Sequence, residues 1–336
     1  MQENSESVRL MPEDVRKLAF RALRGCGVLE SNAASVAESI EAAEADGMHS
    51  HGLMRLPAYC RHVLCGKVDG GAVPCLRFPM PGALLVDAAH GFAHPAIDLG
   101  LPSLAAAAKK QGIAMMAVTR SYNAGAMGYH VERLAQSGVL GLAFANAPAS
   151  IAAWGGIRPL FGTNPIAFSA PGPRGPALVI DQACSIVARG EVVRKALAGE
   201  ALPEGWALDA DGSATRDPQA ALAGTMLPIA GPKGVNLAWI AEVLASSLTG
   251  AQPSYEASSI IDDEGGPPGI GQLFIAMAPD GFLPGFSQRV DQICDRVKRE
   301  PGARVPGAGR WRARDDSRES GIAISRGLYE EIQAYC

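Results

Sequence analysis

The 336-residue chain lacks any apolar run that approaches the roughly 18–20 residues needed to cross a bilayer. Its first residues, M-Q-E-N-S-E-S, are polar and acidic, which is unlike a signal peptide. A strong charge of either sign is also missing, since 30 Lys and Arg against 34 Asp and Glu leave a net charge of −4. These absences predict a cytoplasmic protein whose main partner is neither a membrane nor a nucleic acid.

C-x-x-C pairs are missing among the seven cysteines, an odd number that predicts free thiols in a reducing compartment. One cluster, Y-C-R-H-V-L-C, brings Cys60, His62 and Cys65 together in sequence. A zinc site needs a second pair of ligands, and no such pair occurs elsewhere in the sequence. On a helix the three side chains would also diverge, so a structural role is favoured over a metal site.

What is present is typical of a globular protein, with 48% hydrophobic and 19% charged residues. Helical spacing predicts helices over 12–25 and 56–64, and a helix between them that is capped by Ser31. From about residue 84, short apolar strands alternate with helices, while 200–231 and 258–269 are predicted to be irregular. The strands are predicted at 83–88, 113–118, 139–145, 166–170, 177–180 and 272–278, and the helices at 95–111, 126–136, 185–198 and 235–249.

Glycine-rich nucleotide fingerprints are absent, because neither G-x-G-x-x-G nor G-x-x-x-x-G-K-[ST] occurs. The nearest candidate, G-A-M-G at 125–128, lacks the first glycine. An ordinary Rossmann domain is therefore not supported. An enzyme that used a nicotinamide cofactor would need another way to hold it.

The segment D-G-M-H-S-H-G-L-M-R-L, residues 46–56, holds the best candidates for proton transfer. His49 and His51 could be two ligands of a metal, although nothing specifies Asp46 or the distant His90 as the third. Alternatively, His51 is a general acid, and Arg55 four residues later binds an anion. The residues alone leave both interpretations open.

Three further segments suit ligand binding. The turn L-F-G-T-N-P (160–165) can present backbone N–H groups, and A-G-P-K-G-V-N (230–236) places Lys233 at a helix start, where an anion is favoured. The basic segment 296–314 sets Arg304 and Arg310 around a proline-glycine turn that suits phosphate recognition. An ordinary turn, a helix cap and a solvated face are the alternatives.

Together these motifs resemble the malate/L-lactate dehydrogenase type 2 oxidoreductases. That family includes sulfolactate, ureidoglycolate and 2,3-diketogulonate oxidoreductases and the Δ1-piperideine-2-carboxylate/Δ1-pyrroline-2-carboxylate reductases. The resemblance runs through most of the chain. It rests on S-H-G-L-M-R-L (50–56), P-L-F-G-T-N-P-I-A-F (159–168), Asp181 in V-I-D-Q-A-C-S, P-E-G-W-A-L-D-A-D-G (203–212), G-P-K-G (231–234) and G-Q-L-F-I-A (271–276).

The resemblance implies an α/β (α+β) protein with a non-Rossmann NAD(P)-binding fold, a mixed and largely antiparallel sheet, and a homodimeric state. Residues 1–75 plus 286–336 are expected to form a helical domain from both termini. Residues 76–285 are expected to form the domain that binds cofactor and substrate, with the irregular excursion at about 200–231.

The implied roles place His51 as the proton donor, oriented by Ser50 and Asp181, and Arg55 as the ligand of the substrate carboxylate. A charged His51 near Asp181 is expected to have a raised pKa. Arg304 and Arg310 would suit the 2′-phosphate, which favours NADP over NAD, and no metal is expected. The cofactor residues implied are Asn123, Ala124, Gly125, Ala126, Met127, Thr163, Asp181, Lys233, Arg304 and Arg310.

The implied reaction transfers a hydride to or from C2 of a small carboxylate. The substrate is either a 2-oxo/2-hydroxy acid of the malate, lactate or sulfolactate type, or a cyclic imine of the Δ1-pyrroline/piperideine-2-carboxylate type. The chain departs from S-N-H-F-G or S-H-H-F, because S-Y-N-A-G (121–125) puts Asn123 where some relatives have a histidine near the substrate. Cys184 likewise stands where Ser or Thr is expected. The alternatives are a metal-dependent hydrolase built on His49 and His51, and a catalytically impaired cofactor-binding relative.

Overall fold

A computed structural model describes residues 7–336. The prediction that M-Q-E-N-S-E-S is not a signal peptide concerns residues 1–7, and residues 1–6 lie outside the described residues. The α-helices are α1 (Pro12–Gly25), α2 (Glu30–Ala45), α3 (Leu56–Leu64), α4 (Ala93–Gln111), α5 (Met127–Gln136), α6 (Arg189–Ala198), α7 (Pro218–Ala223), α8 (Pro232–Glu242), α9 (Phe286–Lys298), α10 (Ala308–Ser320) and α11 (Arg326–Gln333).

The strands form three sheets, of two, five and seven strands, within the described residues. Single 3₁₀ turns cover His49–His51, Leu53–Arg55 and Pro279–Gly281, and a π-helical turn at Val243–Ser247 continues α8. The strands are β1 (Ser7–Leu10), β2 (Cys75–Met80), β3 (Ala83–Asp87), β4 (Ile113–Ser121), β5 (Leu140–Ala145), β6 (Ile151–Ala152), β7 (Pro159–Phe161), β8 (Ile166–Gly172), β9 (Gly175–Gln182), β10 (Ala207–Leu208), β11 (Ala214–Thr215), β12 (Thr225–Met226), β13 (Ile270–Met277) and β14 (Ile322–Ser325).

The large sheet has the order β2-β3-β4-β13-β5-β8-β9. Only β3 and β4 pair in parallel, and they are joined through α4, as a parallel pair requires a crossover. All the other neighbours in this sheet are antiparallel. The predicted mixed, largely antiparallel sheet is therefore confirmed.

Helices cover both faces of this sheet. Side chains of a strand alternate between faces, so Phe274 and its neighbour Leu273 on β13 point in opposite directions. Phe274 packs with Ile97 and Leu104 of α4, and Leu273 packs with Ala245 in the π-helical turn after α8. Because both faces are covered, β13 is apolar almost throughout rather than alternating.

Elements from both ends of the chain share a second core. Val15 of α1 and Ile40 of α2 pack with Ile324 of β14 and Ile332 of α11, and β1 pairs antiparallel with β14. Ser317 of α10 also donates a hydrogen bond to the carbonyl of Ala45, at the end of α2 (3.1 Å). Helices from both termini thus pack together, while the boundaries of the two domains stay a prediction.

The region 200–231 is less irregular than its composition suggests. It contains α7, whose N-terminus is capped by Asp217, and the two-residue strands β10, β11 and β12. These strands join β6 and β7 in the order β11-β10-β12-β6-β7. Strands this short leave no period-2 pattern, which is why the sequence does not reveal them.

No helix of the described residues is long and apolar enough to span a membrane.

Candidate active site

The connection between α2 and α3 is folded around Glu44, whose side chain is almost fully buried. Glu44 Oε1 accepts a hydrogen bond from the backbone N–H of Leu53 (2.7 Å), and Oε2 lies 2.5 Å from Nδ1 of His49. A Cβ at Gly52 would lie 2.2 Å from Oε1, so only glycine allows this approach. Glu44 therefore fixes the path of the chain on both sides of His51.

The two histidines of this segment have different surroundings. His49 is exposed and bonded to Glu44, which raises the pKa of His49. His51 instead lines a cavity, and its Nδ1 lies 3.1 Å from Oγ of Ser50. Residues 7–336 contain no group of three or more His, Cys, Asp or Glu side chains that could hold a metal. The two-histidine metal site thus has no ligand set in this part of the chain.

The cavity has a volume of about 240 Å³. It lies where the α2–α3 connection, the β4–α5 loop and the β7–β8 turn meet, so three of the segments singled out in the sequence converge there. Of the predicted residues, those that line it are Ser50, His51, Arg55, Asn123, Ala124, Gly125, Met127 and Thr163.

Arg55 offers the cavity an uncompensated positive charge. Its Nε donates to the carbonyl of Ser50 (3.1 Å), which fixes the guanidinium and leaves both terminal nitrogens for a ligand. Arg55 forms no ion pair with any described residue. None of the described residues that line the cavity is acidic. A fixed, planar guanidinium of this kind suits bidentate binding of a carboxylate.

Asn123 is held so that its amide nitrogen stays available. Its Oδ1 accepts hydrogen bonds from the hydroxyl of Tyr59 (3.1 Å) and from the backbone N–H of Gly125 (2.7 Å). Beneath the loop, Nε2 of His130 donates to the carbonyl of Ala124 (2.9 Å), and burial lowers the pKa of His130 to about 4. The loop is therefore supported by neutral groups from below.

The expected rise in the pKa of His51 is wrong. Burial, followed by the charges of Arg55 and Arg310, lowers the pKa of His51 to about 4. Asp181 does not offset this, because its Oδ2 accepts a hydrogen bond from the backbone N–H of Gly128 (2.8 Å) and lies 3.5 Å from Nη2 of Arg310. The carboxylate is engaged at the N-terminus of α5, so His51 is neutral at pH 7.

Asp181 and Arg310 form a cluster beside the cavity rather than in its lining. Burial raises the pKa of Asp181, and Arg310 acts in the opposite direction. Arg310 lies in the first turn of α10, whereas Arg304 is exposed on the preceding segment and Lys233 is exposed in the first turn of α8. The structure thus keeps Ala126, Asp181, Lys233, Arg304 and Arg310 outside the lining of the cavity.

Under the cofactor role that the resemblance implies for Asp181 and Arg310, replacing Gly128 by alanine is expected to weaken cofactor binding about tenfold, which corresponds to about 1.4 kcal/mol. The new Cβ would lie 2.2 Å from Nη1 of Arg310 and 3.0 Å from Cβ of Asp181. The flexible end of Arg310 would move away, so its pairing with Asp181 would be lost while the fold survives. The measurement is the Kd of NADPH by fluorescence titration.

The matched control is Gly309→Ala, one residue before Arg310 on the same helix. A Cβ there would meet no atom of the described residues within 4 Å. This variant is expected to bind NADPH like the wild type. Equal affinities in all three proteins would show that the Arg310–Asp181 pair does not contribute to the cofactor site.

Several polar residues of the cavity were not singled out from the sequence, although one of them, Gln272, lies in the G-Q-L-F-I-A motif. Oγ of Ser150, Nε of Arg189 and Nε2 of Gln272 are buried without a partner in the described structure, and all three residues line the cavity. Arg189 is anchored by a hydrogen bond from Nη1 to the carbonyl of Ala149 (2.9 Å). Unpartnered buried groups are costly, so they fit a polar ligand such as the carboxamide of a nicotinamide.

Cys184 lies outside this cavity. It is buried among Ile151, Phe161 and Val235, and its Sγ donates to the carbonyl of Asn164 (3.0 Å). Cys184 is connected to the cavity by its backbone N–H, which donates a hydrogen bond to the carbonyl of the lining residue Thr163 (2.7 Å).

Comparison with known proteins gives a consistent result over the whole chain. The family model described as malate/L-lactate dehydrogenase matches residues 10–333. A Δ1-pyrroline-2-carboxylate reductase of Ancylobacter novellus is 42% identical over 333 residues, covering 98% of each chain. A (2R)-3-sulfolactate dehydrogenase (NADP⁺) of Chromohalobacter salexigens is 40% identical over 323 residues, covering 96% of each. The crystal structure of Δ1-piperideine-2-carboxylate reductase from Pseudomonas syringae pv. tomato superposes with a TM-score of 0.92 at 34% identity, covering 98% of this chain and all of that one.

Proposed function

This chain belongs to the malate/L-lactate dehydrogenase family and is a nicotinamide-dependent oxidoreductase, and we propose that it reduces a cyclic 2-imino carboxylate of the Δ1-pyrroline-2-carboxylate type with NADPH. The observation that carries this proposal is the convergence of Arg55, His51 and Asn123 on one small cavity without acidic lining in the described chain. Arg55 binds the substrate carboxylate, which fixes C2 and its C=N bond beside His51.

The neutral state of His51 supports an imine over a ketone. A cyclic imine nitrogen can take a proton from water before reduction, so hydride transfer to C2 yields a neutral amine without a further proton. Reduction of a ketone develops an alkoxide, which needs a proton from His51 during the reaction. A substrate carboxylate on Arg55 would offset one of the charges that lower the pKa of His51, which makes His51 a better proton carrier once substrate is bound.

The cofactor supplies the hydride when it is bound. We assign its contacts to the loop from Asn123 to Met127 and to Thr163, and the 2′-phosphate to Arg310 with the exposed Arg304 and Lys233. Asp181 holds Arg310 and the first turn of α5 in place for this contact. Ser50 orients His51 through the 3.1 Å contact between Oγ and Nδ1.

A 2-oxo acid with a second anionic group, of the sulfolactate type, is the second candidate. The observation that favours it is Arg189, which brings a second guanidinium to the cavity that holds Arg55. Two positive charges without an acidic residue in the described lining suit a dianion better than a monoanion.

The experiment is a screen for oxidation of NADPH and NADH with Δ1-pyrroline-2-carboxylate, Δ1-piperideine-2-carboxylate, pyruvate, oxaloacetate and sulfopyruvate. A kcat/KM for the cyclic imines at least about tenfold above that for every 2-oxo acid supports the proposal. A preference for sulfopyruvate or oxaloacetate would transfer the assignment to the second candidate. Binding of NADPH without turnover of any compound would identify an impaired relative.

We also propose that the protein is a cytoplasmic homodimer. The edge strand β2 exposes Phe78 and Met80, apolar side chains that a second copy could cover, and the described cysteines are all free. Light scattering coupled to gel filtration tests the dimer, since a single chain has a mass of 34.9 kDa. A monomer at micromolar concentration would refute it.

A further inference from the structure

One wall of the candidate active site is an exposed loop that lies over a buried lysine. Ser259, Ile260 and Ile261 line the cavity, while residues 262–264 are exposed to solvent. The loop has no regular secondary structure, so the sheet and helices do not fix it. Beneath it, Lys67 is completely buried.

The ammonium of Lys67 is surrounded by oxygen atoms of this loop. Nζ donates to the backbone carbonyls of Ser259 (2.5 Å), Asp262 (3.0 Å) and Glu264. The carboxylate Oδ1 of Asp262 lies 3.6 Å away. An ammonium has three donors, and here each has a carbonyl acceptor, which offsets the cost of burying the charge.

A second contact, through His62, ties the same loop to the β4–α5 loop, which also lines the cavity. Nε2 of His62 donates to the carbonyl of Asp262 (2.9 Å), and Nδ1 accepts from the hydroxyl of Tyr122 (2.6 Å). Tyr122 directly precedes Asn123, whose side chain lines the cavity. The position of residues 259–264 is thus coupled to the polar groups that face the substrate.

We propose that Lys67 is a positioning residue whose ammonium fills a cation site built by the loop 259–264, and that K⁺ or NH₄⁺ can take its place when the side chain is removed. Backbone carbonyl oxygens bind K⁺ in other proteins, and here three carbonyls and one carboxylate oxygen offer oxygen ligands of the same kind. The lysine makes the wall of the active site independent of the ions in solution.

Two measurements test this inference. The first, kcat/KM in different salts, rests on the proposed reductase activity, whereas the second, the melting temperature, does not. Lys67→Ala leaves space for a small cation and is expected to be strongly impaired in choline chloride, because a displacement of about 1 Å in an active site can cost about 10²-fold in rate. KCl or NH₄Cl at equal ionic strength is expected to restore most of the kcat/KM. LiCl is not expected to do so, and the wild type is expected to respond equally to all four salts.

The second readout is the melting temperature, which needs no substrate. A cation that binds only the folded protein stabilises it, so Lys67→Ala is expected to melt at a higher temperature in KCl than in choline chloride. The wild type and the surface control Lys109→Ala are expected to show no such difference. Salt-independent melting and activity of Lys67→Ala would overturn the cation site, whatever the substrate proves to be.

Lys67→Met covers the case in which Lys67→Ala fails to fold in any salt. Methionine fills most of the lysine volume without the charge, so this variant is expected to fold, to be impaired, and to be insensitive to K⁺. A Lys67→Met protein with wild-type kcat and KM would refute the positioning role.

Discussion

Replacing His51 by alanine is expected to lower kcat for 2-oxo acid reduction by about 10²–10⁴-fold, the usual contribution of a general acid. His51 lines the cavity with Arg55, and its Nδ1 is oriented by Ser50. NADPH affinity is expected to be unchanged, since no cofactor phosphate is assigned to His51. Steady-state kinetics and a fluorescence titration measure the two effects.

The pH profile separates the role of His51 from a structural one. Because the pKa of His51 is lowered to about 4, its protonated fraction in the free enzyme falls about tenfold per pH unit between pH 5 and pH 8. For a 2-oxo acid, kcat/KM of the wild type is expected to fall with this slope as the pH rises. The slope is expected to vanish in His51→Ala.

The matched control is His49→Gln, which keeps a hydrogen-bond donor for Glu44 at the neighbouring histidine. Its activity is expected to stay within a factor of about three of the wild type, as for surface changes. Near-wild-type turnover in His51→Ala, or an equal loss in both variants, would remove His51 from the mechanism.

Replacing Arg55 by alanine is expected to reduce kcat/KM by about 10²-fold, mainly through a higher KM. The guanidinium of Arg55 is anchored by the carbonyl of Ser50. Of the charged residues that line the cavity, Arg55 is the one nearest to His51 in the sequence. Its loss is therefore expected to leave the substrate carboxylate without its main partner. Arg55→Lys is expected to recover only part of this, because an ammonium cannot form the bidentate contact.

A second effect follows from the charge of Arg55. Its field is one of the causes that lower the pKa of His51, so the pKa of His51 in Arg55→Ala is expected to rise. An NMR titration of the imidazole measures this without substrate. Arg318→Ala, at an exposed position on α10, serves as the control. An unchanged KM in Arg55→Ala would refute the carboxylate site.

Much of the fold could be predicted from the sequence because its elements carry strong local signals. Proline at the start and a run of apolar residues at helical spacing mark α1, and its observed end at Gly25 agrees with the prediction. Weaker signals fail, since α2 begins at Glu30 after an uncapped Leu29 and Ser31 lies inside its first turn. The five-stranded sheet was missed because its pairings depend on distant residues.

The candidate site could likewise be predicted only in part from the sequence. Ser50, His51 and Arg55 lie in one short motif, so their proximity follows from the sequence. The pKa of His51 could not be predicted in this way, because it depends on burial and on the fact that Asp181 bonds to Gly128 and not to His51. Arg189 and Lys67 were missed because a single cation in an otherwise unremarkable segment gives no pattern, and only the tertiary structure shows which oxygen atoms surround it.

The central position of β13 has a consequence for folding kinetics. β4 and β5 each pair with β13 and not with one another, so residues 270–277 must find strands that end at residues 121 and 145. During synthesis both strands keep an open edge until the last quarter of the chain emerges, which favours slow folding and exposes the nascent chain to aggregation. Pulse-labelling hydrogen exchange is expected to show the amides of β4, β5 and β13 gaining protection in one late step.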